Sequence, residues 1–368
     1  MKRIFLFYLL LILILPACQK KSDSVQVDSL HNSSPIDSEN FIKGIYGSPQ
    51  SLLKAGYTLS DLGVNALFIH YGSLSDEMMM MAKKEGIKIF VEFPLLNGKD
   101  YLKTHEDAWP IDSNGNKSPQ ADWFMGICPS NPDFKSYRKE QLLKLLSTFD
   151  VDGVWLDYVH WHAQFESPNP ILPETCFCPH CLSNFSKNTG ISLPEGDTKT
   201  VASWILTESD DQWRKWRSEV IIDWINDFKK ILHEKDPQAK LGVYYCPWYP
   251  DDFNGAEYRI LGLNMEALYK TADVLSPMIY HGRMGRSASW VKEYLTWFNE
   301  AIISKTGTGA ALWPIVQASD EPVPISAEEF RQVMTDGSSE PSSGVMMFSA
   351  GHLTDSPEKI EVIKQLYR

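Results

Sequence analysis

The sequence predicts a single (β/α)8 barrel over residues 41–368, and three observations favour this fold. Short apolar runs alternate with segments of helical periodicity, a pattern typical of a parallel sheet covered by helices. The stretch is long for one ordinary domain but normal for an α/β barrel. Two connections, residues 95–132 and 160–209, are much longer than the others, and in a barrel the loops that follow strands line the active face.

Eight apolar runs are predicted to be the barrel strands, because a closed (β/α)8 barrel requires eight. In chain order they are residues 43–47, 65–71, 87–93, 154–159, 241–246, 274–280, 311–317 and 345–349. The two long connections follow the third and fourth of these runs. We therefore expect the functional site above those two strands.

The intervening helices are predicted from apolar residues at steps of three and four. The clearest case is residues 211–235, where the apolar stripe comprises Trp213, Trp216, Val220, Trp224, Phe228 and Ile231. Pro237 ends this helix, since proline lacks the N–H that a helix interior needs. Further helices are predicted at residues 76–85, 289–303 and 327–334.

The first residues carry a secretory signal. Lys2 and Arg3 precede an apolar run over residues 4–15 that is too short to span a bilayer comfortably. Cys18 directly follows Leu-Pro-Ala, which resembles a bacterial lipobox. The resemblance implies a signal peptide over residues 1–17 and acylation of Cys18; the alternative is a plain signal peptide cut nearby. Residues 18–40 are polar, without a hydrophobic period, and are predicted to be a flexible tether.

These features predict a lipid-anchored protein of the bacterial cell envelope, on the extracytoplasmic side. The formal net charge of −12 argues against nucleic acid as a partner. The chain contains 12 Trp and 15 Tyr, which we expect to divide between a large core and platforms for sugar rings. The membrane, through Cys18, and a carbohydrate are therefore the expected partners.

Asp157 is the first candidate catalytic residue. Alternate residues of a strand share a face, so Trp155 and Asp157 point one way while the apolar Val154 and Leu156 point the other. The apolar face suits the surrounding helices, which leaves Asp157 inside the barrel mouth, at the carboxyl end of its strand. It is predicted to act as nucleophile or base; the alternative is a structural acid.

The segment around Asp157 resembles known glycosidases. Residues 152–157, Asp-Gly-Val-Trp-Leu-Asp, are similar to the fourth strand of several glycoside hydrolase barrels, including the nucleophile strand of the α-glucosidases and α-xylosidases. Together with residues 272–280 they also resemble uncharacterised glycosyl-hydrolase-like barrel lipoproteins. This resemblance implies a glycosidase-like barrel. The chitinase-type motif departs from the sequence, since its terminal acid would fall on Val159.

Glu92, near the end of the third predicted strand, is the second candidate catalytic residue. Neighbouring strands lie about 4.8 Å apart, so Glu92 and Asp157 are expected within one sugar ring of each other. Glycoside hydrolysis uses paired carboxylates, and placing two acids close together raises the pKa of one of them, which suits a proton donor. Acids in the loops after strands are further candidates for the donor, namely Glu166, Asp251, Asp252 and Asp320.

Four cysteines are predicted to form a structural zinc site. Cys176, Cys178 and Cys181 are closely spaced, and Cys128 lies in the other long connection. Residues 176–185 resemble the zinc segment of the family forty-two β-galactosidases, which adds one upstream cysteine. That family's Asn-Glu dyad on strand four is missing, so the resemblance implies the metal and not the reaction. The alternative is disulfides, because secretion exposes thiols to oxidation. No catalytic cofactor is expected.

Residues that bind the substrate are predicted among the histidines and aromatic residues at the strand ends. They are His70, Tyr71, Trp155, His160, Trp161, His162, Trp248, Tyr280, His281 and Trp313.

The predicted function is a glycoside hydrolase that acts on an extracytoplasmic oligosaccharide or glycan. Because fold does not determine function, a carbohydrate-binding surface lipoprotein on an inactive barrel stays open as the alternative. A metal-dependent deacylase is disfavoured, since the sequence lacks a suitable set of His and Asp ligands.

Overall fold

The computed structural model describes residues 40–368, and a closed parallel barrel lies at their centre. The expected signal peptide, the acylated Cys18 and all but the last residue of the tether lie outside the described residues. The strands are β1 Ile42–Tyr46, β2 Ala66–His70, β3 Lys88–Pro94, β4 Gly153–Asp157, β5 Lys240–Tyr245, β6 Val274–Ile279, β7 in two pieces, Ala311–Leu312 and Ile315–Gln317, and β8 Gly344–Phe348.

The strands pair in chain order, and β8 closes the barrel by pairing with β1. All of these pairings are parallel, so the carboxyl ends of the strands meet at one mouth. The predicted (β/α)8 barrel is thereby confirmed.

The seventh strand differs from the prediction because it is interrupted at Trp313 and Pro314. Proline has no N–H to donate to a strand ladder. The register continues across the gap, since Leu312 pairs with Leu275 and Ile315 pairs with Met278. The interruption therefore leaves the barrel closed.

Helices surround the barrel. The α-helices are α1 Gln50–Lys54, α2 Asp76–Glu85, α3 Pro132–Thr148, α4 Pro179–Thr189, α5 Thr198–Glu208, α6 Asp210–Lys235, α7 Ala256–Arg259, α8 Met265–Thr271, α9 Trp290–Phe298, α10 Ser304–Thr306, α11 Ala327–Gly337 and α12 Pro357–Tyr367. The predicted helix at 289–303 is α9 followed by a π-helical segment, Asn299–Ile303. Within the described residues, none of the helices combines the length and apolar character needed to cross a bilayer.

The helix α6 confirms the longest predicted helix and joins two parts of the structure. Trp213, near its start, stacks on Phe177 of the long loop after β4, with ring centroids 5.0 Å apart. Phe228, near its end, packs on Phe93 of β3 at 5.8 Å. The first half of the apolar stripe thus packs against the long loop after β4, and the second half packs against the barrel.

The barrel interior is filled by Trp155 of β4 and Trp313 of β7. Their rings stack at 5.4 Å, and the Trp155 indole N–H donates to Ser276 Oγ at 3.0 Å. Gly242 of β5 makes room for Trp155, since a Cβ atom there would lie 2.0 Å from the indole. Trp155 is fully buried and Trp313 nearly so. This corrects their expected role in substrate binding, because both rings face the barrel core.

Candidate active site

Two carboxyl groups meet where β3 and β4 end. The strand register pairs Glu92 with Trp155 and Pro94 with Asp157, so both acids point into the barrel mouth. The Tyr46 hydroxyl, at the end of β1, donates a hydrogen bond to Glu92 Oε2. The backbone N–H of Tyr158 donates to Asp157 Oδ1 at 2.7 Å. Each acid is therefore held by a neighbouring group on one side.

Glu92 and Asp157 lie close enough for each to shift the pKa of the other. Two neighbouring carboxylates repel each other, so the pair favours a state that holds one proton. Burial raises the pKa of Asp157 well above its usual range, and the charges of Glu92 and Glu166 raise it further. Burial also raises the pKa of Glu92, against the opposing hydrogen bond from Tyr46. The two acids therefore form an electrostatically coupled pair at the mouth.

A third carboxyl group, Glu166, lies at the same cleft. It belongs to the long loop after β4, and its Oε2 accepts from Arg283 Nη1 at 2.7 Å. Burial raises the pKa of Glu166, while the guanidinium of Arg283 opposes the shift. Among the loop acids named from the sequence, Glu166 lines the cleft, whereas Asp252 is paired with Arg286 and Asp320 with Lys359.

Aromatic rings line the cleft around these carboxyl groups. They are Tyr46, Trp123, Tyr158, Tyr244, Tyr280 and Phe348. Tyr280, one of the substrate-binding residues predicted from the sequence, is among them. A smaller recess adjoins the cleft, and His160 lines it together with Asp157 and Glu166. Burial lowers the pKa of His160 to about 4, so this imidazole is neutral at physiological pH.

His70 and Tyr71 lie beside the carboxyl pair without lining the cleft. His70 ends β2 opposite Glu92, and its Nδ1 accepts from the Gly72 backbone N–H at 3.1 Å. Tyr71 packs on His70 at 4.6 Å and on Phe93 at 5.6 Å. Both side chains remain partly accessible. Their proposed contact with a substrate stays a prediction.

Four other predicted substrate-binding residues are buried in supporting positions. The Trp161 indole donates to the backbone carbonyl of Arg217, and Trp248 packs between Phe165 and Phe253. His281 has no exposed surface, and its Nε2 lies 3.0 Å from Glu329 Oε1. These placements correct the expectation of direct substrate contact, because the side chains offer a ligand almost no surface.

The fourth of them, His162, joins the two long loops. The backbone N–H of Gly126 donates to its Nδ1 at 3.0 Å, so the proton is on Nε2, which donates to the Pro119 carbonyl at 2.9 Å. Burial lowers the pKa of His162, consistent with this neutral form. The residue thus shapes the wall of the cleft from behind.

Some cleft residues were missed by the sequence-based prediction. Tyr46 ends β1 and was available to the same strand-end rule that selected Tyr280. Arg283 lies in the loop after β6, and no local pattern marks it. Its position depends on contacts with distant groups, including Glu166 and the side chain of Gln317, which accepts from its backbone N–H.

Four buried cysteines cluster behind the site, where the two long loops meet. The sulfur atoms of Cys128, Cys176, Cys178 and Cys181 all lie within 4.8 Å of one another. Cys128 Sγ is 3.3 Å from Cys178 Sγ and 3.4 Å from Cys181 Sγ. A disulfide would need about 2.05 Å. Among the described residues, all five cysteines therefore carry free thiols.

The donor chemistry of this cluster fits a metal ion. Sulfur ligands about 2.3 Å from a tetrahedral zinc lie roughly 3.8 Å apart, close to the spacing found here. The backbone N–H of Ile111 donates to Cys176 Sγ at 3.2 Å, the kind of outer contact that orients thiolate ligands. Burial, followed by the neighbouring thiols, raises the pKa of the Cys128 and Cys181 thiols, and a bound cation would offset that cost.

Comparison with known proteins relates this barrel to solved glycoside hydrolase structures. No family model and no curated protein sequence matches the chain. The glycoside hydrolase domain of PgaB (BpsB) from Bordetella bronchiseptica matches with a TM-score of 0.68 and 12% identity, over 89% of this chain and 99% of that one. The catalytic domain of β-amylase from Paenibacillus polymyxa matches with a TM-score of 0.62 and 9% identity, over 89% and 98%.

A GH42 β-galactosidase, Gan42B from G. stearothermophilus, matches with a TM-score of 0.62 and 13% identity. The match covers 90% of this chain but 57% of that one, so the present chain corresponds to little more than half of Gan42B. At these identities the likeness concerns the fold. The class defined here is therefore a (β/α)8 barrel of the architecture seen in glycoside hydrolase domains, with a carboxyl-rich aromatic cleft at its mouth.

Proposed function

We propose that this protein is a glycoside hydrolase that acts on an extracytoplasmic oligosaccharide or glycan. The observation that carries the proposal is the convergence of Glu92, Asp157 and Glu166 in one aromatic-lined cleft at the carboxyl ends of the strands. Barrel enzymes place catalytic groups at this end, and glycoside hydrolysis needs a proton donor and a second carboxylate. The fold shared with glycoside hydrolase domains supports the same reaction class.

Asp157 is assigned the role of nucleophile or base. Its carboxylate attacks the anomeric carbon directly or takes a proton from the attacking water. Glu92 and Asp157 together hold one proton and carry one negative charge when the substrate binds, and Asp157 acts in the state in which that proton is on Glu92. The Tyr46 hydroxyl stabilises that charge through its hydrogen bond to Glu92.

Glu166 is assigned the role of proton donor to the leaving oxygen. Glu92 is coupled to Asp157 and accepts from the Tyr46 hydroxyl, so it acts with the nucleophile or base and not on the leaving oxygen. Glu166 comes from a different loop, and its raised pKa suits a donor. Arg283 then positions Glu166 and limits the rise in its pKa.

The Glu166→Gln variant is expected to lose about 100-fold or more in kcat on substrates with poor leaving groups, since general acid catalysis contributes about 10²–10⁴-fold. Activated aryl glycosides, whose leaving groups need little protonation, should lose much less. The wild-type rate should fall as pH rises through the pKa of Glu166, and this basic limb should vanish in the variant. The measurement is the pH profile of kcat on both substrate types.

The matched control is Glu174→Gln, a carboxylate of the same loop that pairs with Arg214 at 2.6 Å outside the cleft lining. This variant should keep both the basic limb and the ratio of rates on the two substrate types. An equal loss on good and poor leaving groups in Glu166→Gln would rule out the donor role.

A screen of aryl glycosides and polysaccharides with purified residues 41–368 tests the reaction class. The alternative is a carbohydrate-binding lipoprotein on an inactive barrel. It is favoured by the hydrogen bond from Tyr46 to Glu92 and by the ion pair of Glu166 with Arg283, which engage two of the three carboxyl groups. Sugar binding without turnover would select this alternative.

We also propose that Cys128, Cys176, Cys178 and Cys181 hold one structural zinc. Thiolate sets of this kind bind zinc tetrahedrally and contribute folding energy. The metal would join the loop after β3, which carries Trp123, to the loop after β4, which carries Glu166. It would therefore stabilise the walls of the cleft and take no part in the reaction.

We propose, finally, that the protein is anchored to the bacterial cell envelope by acylation of Cys18. The Leu-Pro-Ala-Cys motif supports this proposal. Mass spectrometry of the mature protein is expected to find a lipid-modified amino-terminal Cys18. An unmodified amino terminus at another residue would contradict it.

A further inference from the structure

We infer that the cleft binds a glycan chain across two exposed aromatic platforms, Trp123 and Phe253, and so engages sugar units beyond the one at the carboxyl groups. The ligand class in this inference rests on the proposed function. The observations that carry it are backbone conformation, exposure and the packing beneath each ring.

Backbone strain is concentrated at the barrel mouth. Among the described residues, four that are not glycine have a left-handed φ, namely Asp122 at 53°, Tyr158 at 53°, Phe253 at 48° and Asn254 at 59°. All four lie in the loops after β3, β4 and β5. Such conformations are unfavourable for bulky residues and persist at ligand sites, where the surrounding structure holds them.

Trp123 directly follows Asp122, whose backbone φ is left-handed, and its side chain is 43% exposed. Its ring lines the cleft together with Asp157 and Glu166. The guanidinium of Arg283 lies 5.7 Å from the centroid of the Trp123 ring, and the next residue, Phe124, stacks on Tyr158 at 5.1 Å. Trp123 is therefore a ring that is held in place and still accessible at the edge of the cleft.

The backbone of Phe253 itself has a left-handed φ, and its side chain is 41% exposed. Its ring packs on the buried Trp248 at 4.5 Å, and Trp248 contacts Phe165, which lines the recess beside Asp157. Asp252 braces the loop by accepting from the Tyr249 N–H and from Arg286. The loop thus holds the Phe253 ring at the surface. This ring contacts Trp248, which contacts Phe165 in the lining of the recess.

The two platforms belong to loops on either side of Asp157. Strands β3 and β5 both pair with β4, so the loops that follow them flank the end of β4. Sugar rings expose C–H faces that pack on aromatic rings while their hydroxyl groups stay hydrated. A chain lying over Asp157 would contact Trp123 through one unit and Phe253 through another.

Affinity gel electrophoresis tests this inference without requiring turnover. The wild type, Trp123→Ala and Phe253→Ala would run in native gels containing soluble starch, galactan, xylan or glycol chitosan. On the polysaccharide that retards the wild type, each variant should bind about three- to tenfold more weakly, as expected for one stacking contact. The control is Tyr137→Ala, which removes a ring that is 40% exposed on the outer helix α3 and should not change retardation.

Kinetics separate this inference from the proposed function. Phe253→Ala should leave hydrolysis of an aryl monosaccharide unchanged and raise KM on the polysaccharide. Retardation of both platform variants equal to the wild type would overturn the inference, as would a wild type that none of the four polysaccharides retards. In the latter case, hydrolysis of the aryl glycoside would still support the proposed function. Retardation that depends on the platforms, without turnover, would support the inference while the hydrolase proposal fails.

Discussion

The Asp157→Asn variant is expected to fold normally and to lose turnover by a factor of about 100 or much more, since it removes a nucleophile or base. The amide keeps the shape of the side chain and its hydrogen bond from the Tyr158 N–H. It cannot act as a carboxylate, and it cannot share a proton with Glu92. The measurement is kcat on a substrate identified in the glycoside screen.

The Asp157→Asn substitution should maintain or raise the stability of the folded protein, although it lowers turnover. Burial raises the pKa of Asp157 in the folded protein, so folding favours the neutral form. The corresponding stability is present at low pH and is lost as pH rises from the unfolded pKa, about 3.9, towards the folded value. A neutral amide does not ionise, so the variant does not lose this stability as pH rises. Its Tm at neutral pH should therefore be equal to that of the wild type or higher.

The matched control is Asp152→Asn, immediately before the start of the same strand, where Oδ2 accepts from the Ile89 N–H at 2.7 Å. This variant should keep its turnover, because Asp152 lies at the opposite end of the barrel from the mouth. An Asp157→Asn protein that remained active on a confirmed substrate would make Asp157 a structural residue.

The second large effect is expected at the cysteine cluster. Elemental analysis of the purified protein should find about one zinc per chain, and Cys128→Ser should remove it. The loss of a structural metal should destabilise the protein by several kcal/mol and lower the Tm by about 5–10 °C. Cys128 is the informative position, because it is the ligand contributed by the loop after β3.

Cys246→Ser is the control, since it changes another buried thiol that lies outside the cluster. This variant should keep the zinc, whatever its effect on the Tm. Two disulfides and no metal in the wild type would contradict the proposal. The proposal would also be contradicted if Cys128→Ser bound as much zinc as the wild type.

The barrel was predictable because its strands and helices depend on local periodicity. Asp157 is the best example at the site. Its orientation follows from the alternation of residues 154–157, and the structure places it at the mouth with the predicted partner Glu92 nearby. The clustering of Cys128 with Cys176, Cys178 and Cys181 was also expected, from spacing and from resemblance to another family.

The aromatic residues show where local pattern is insufficient. Trp155 shares a face with Asp157, so alternation places both inside the barrel. Alternation cannot distinguish the mouth from the core, and Gly242 on a neighbouring strand makes room for Trp155 below the site. Trp161 and Trp248 likewise follow strands but pack beneath the loops.

Strand order and side-chain direction, then, followed from the chain itself, because a period of two or 3.6 residues depends on near neighbours. The electrostatic coupling of Glu92 to Asp157, the pairing of Glu166 with Arg283 and the exposure of Trp123 were decided by the tertiary structure. Each joins groups from different loops, and the separation of such groups depends on how the whole barrel packs. The same packing sets the pKa of each acid, because burial is the largest cause of every shift among the three.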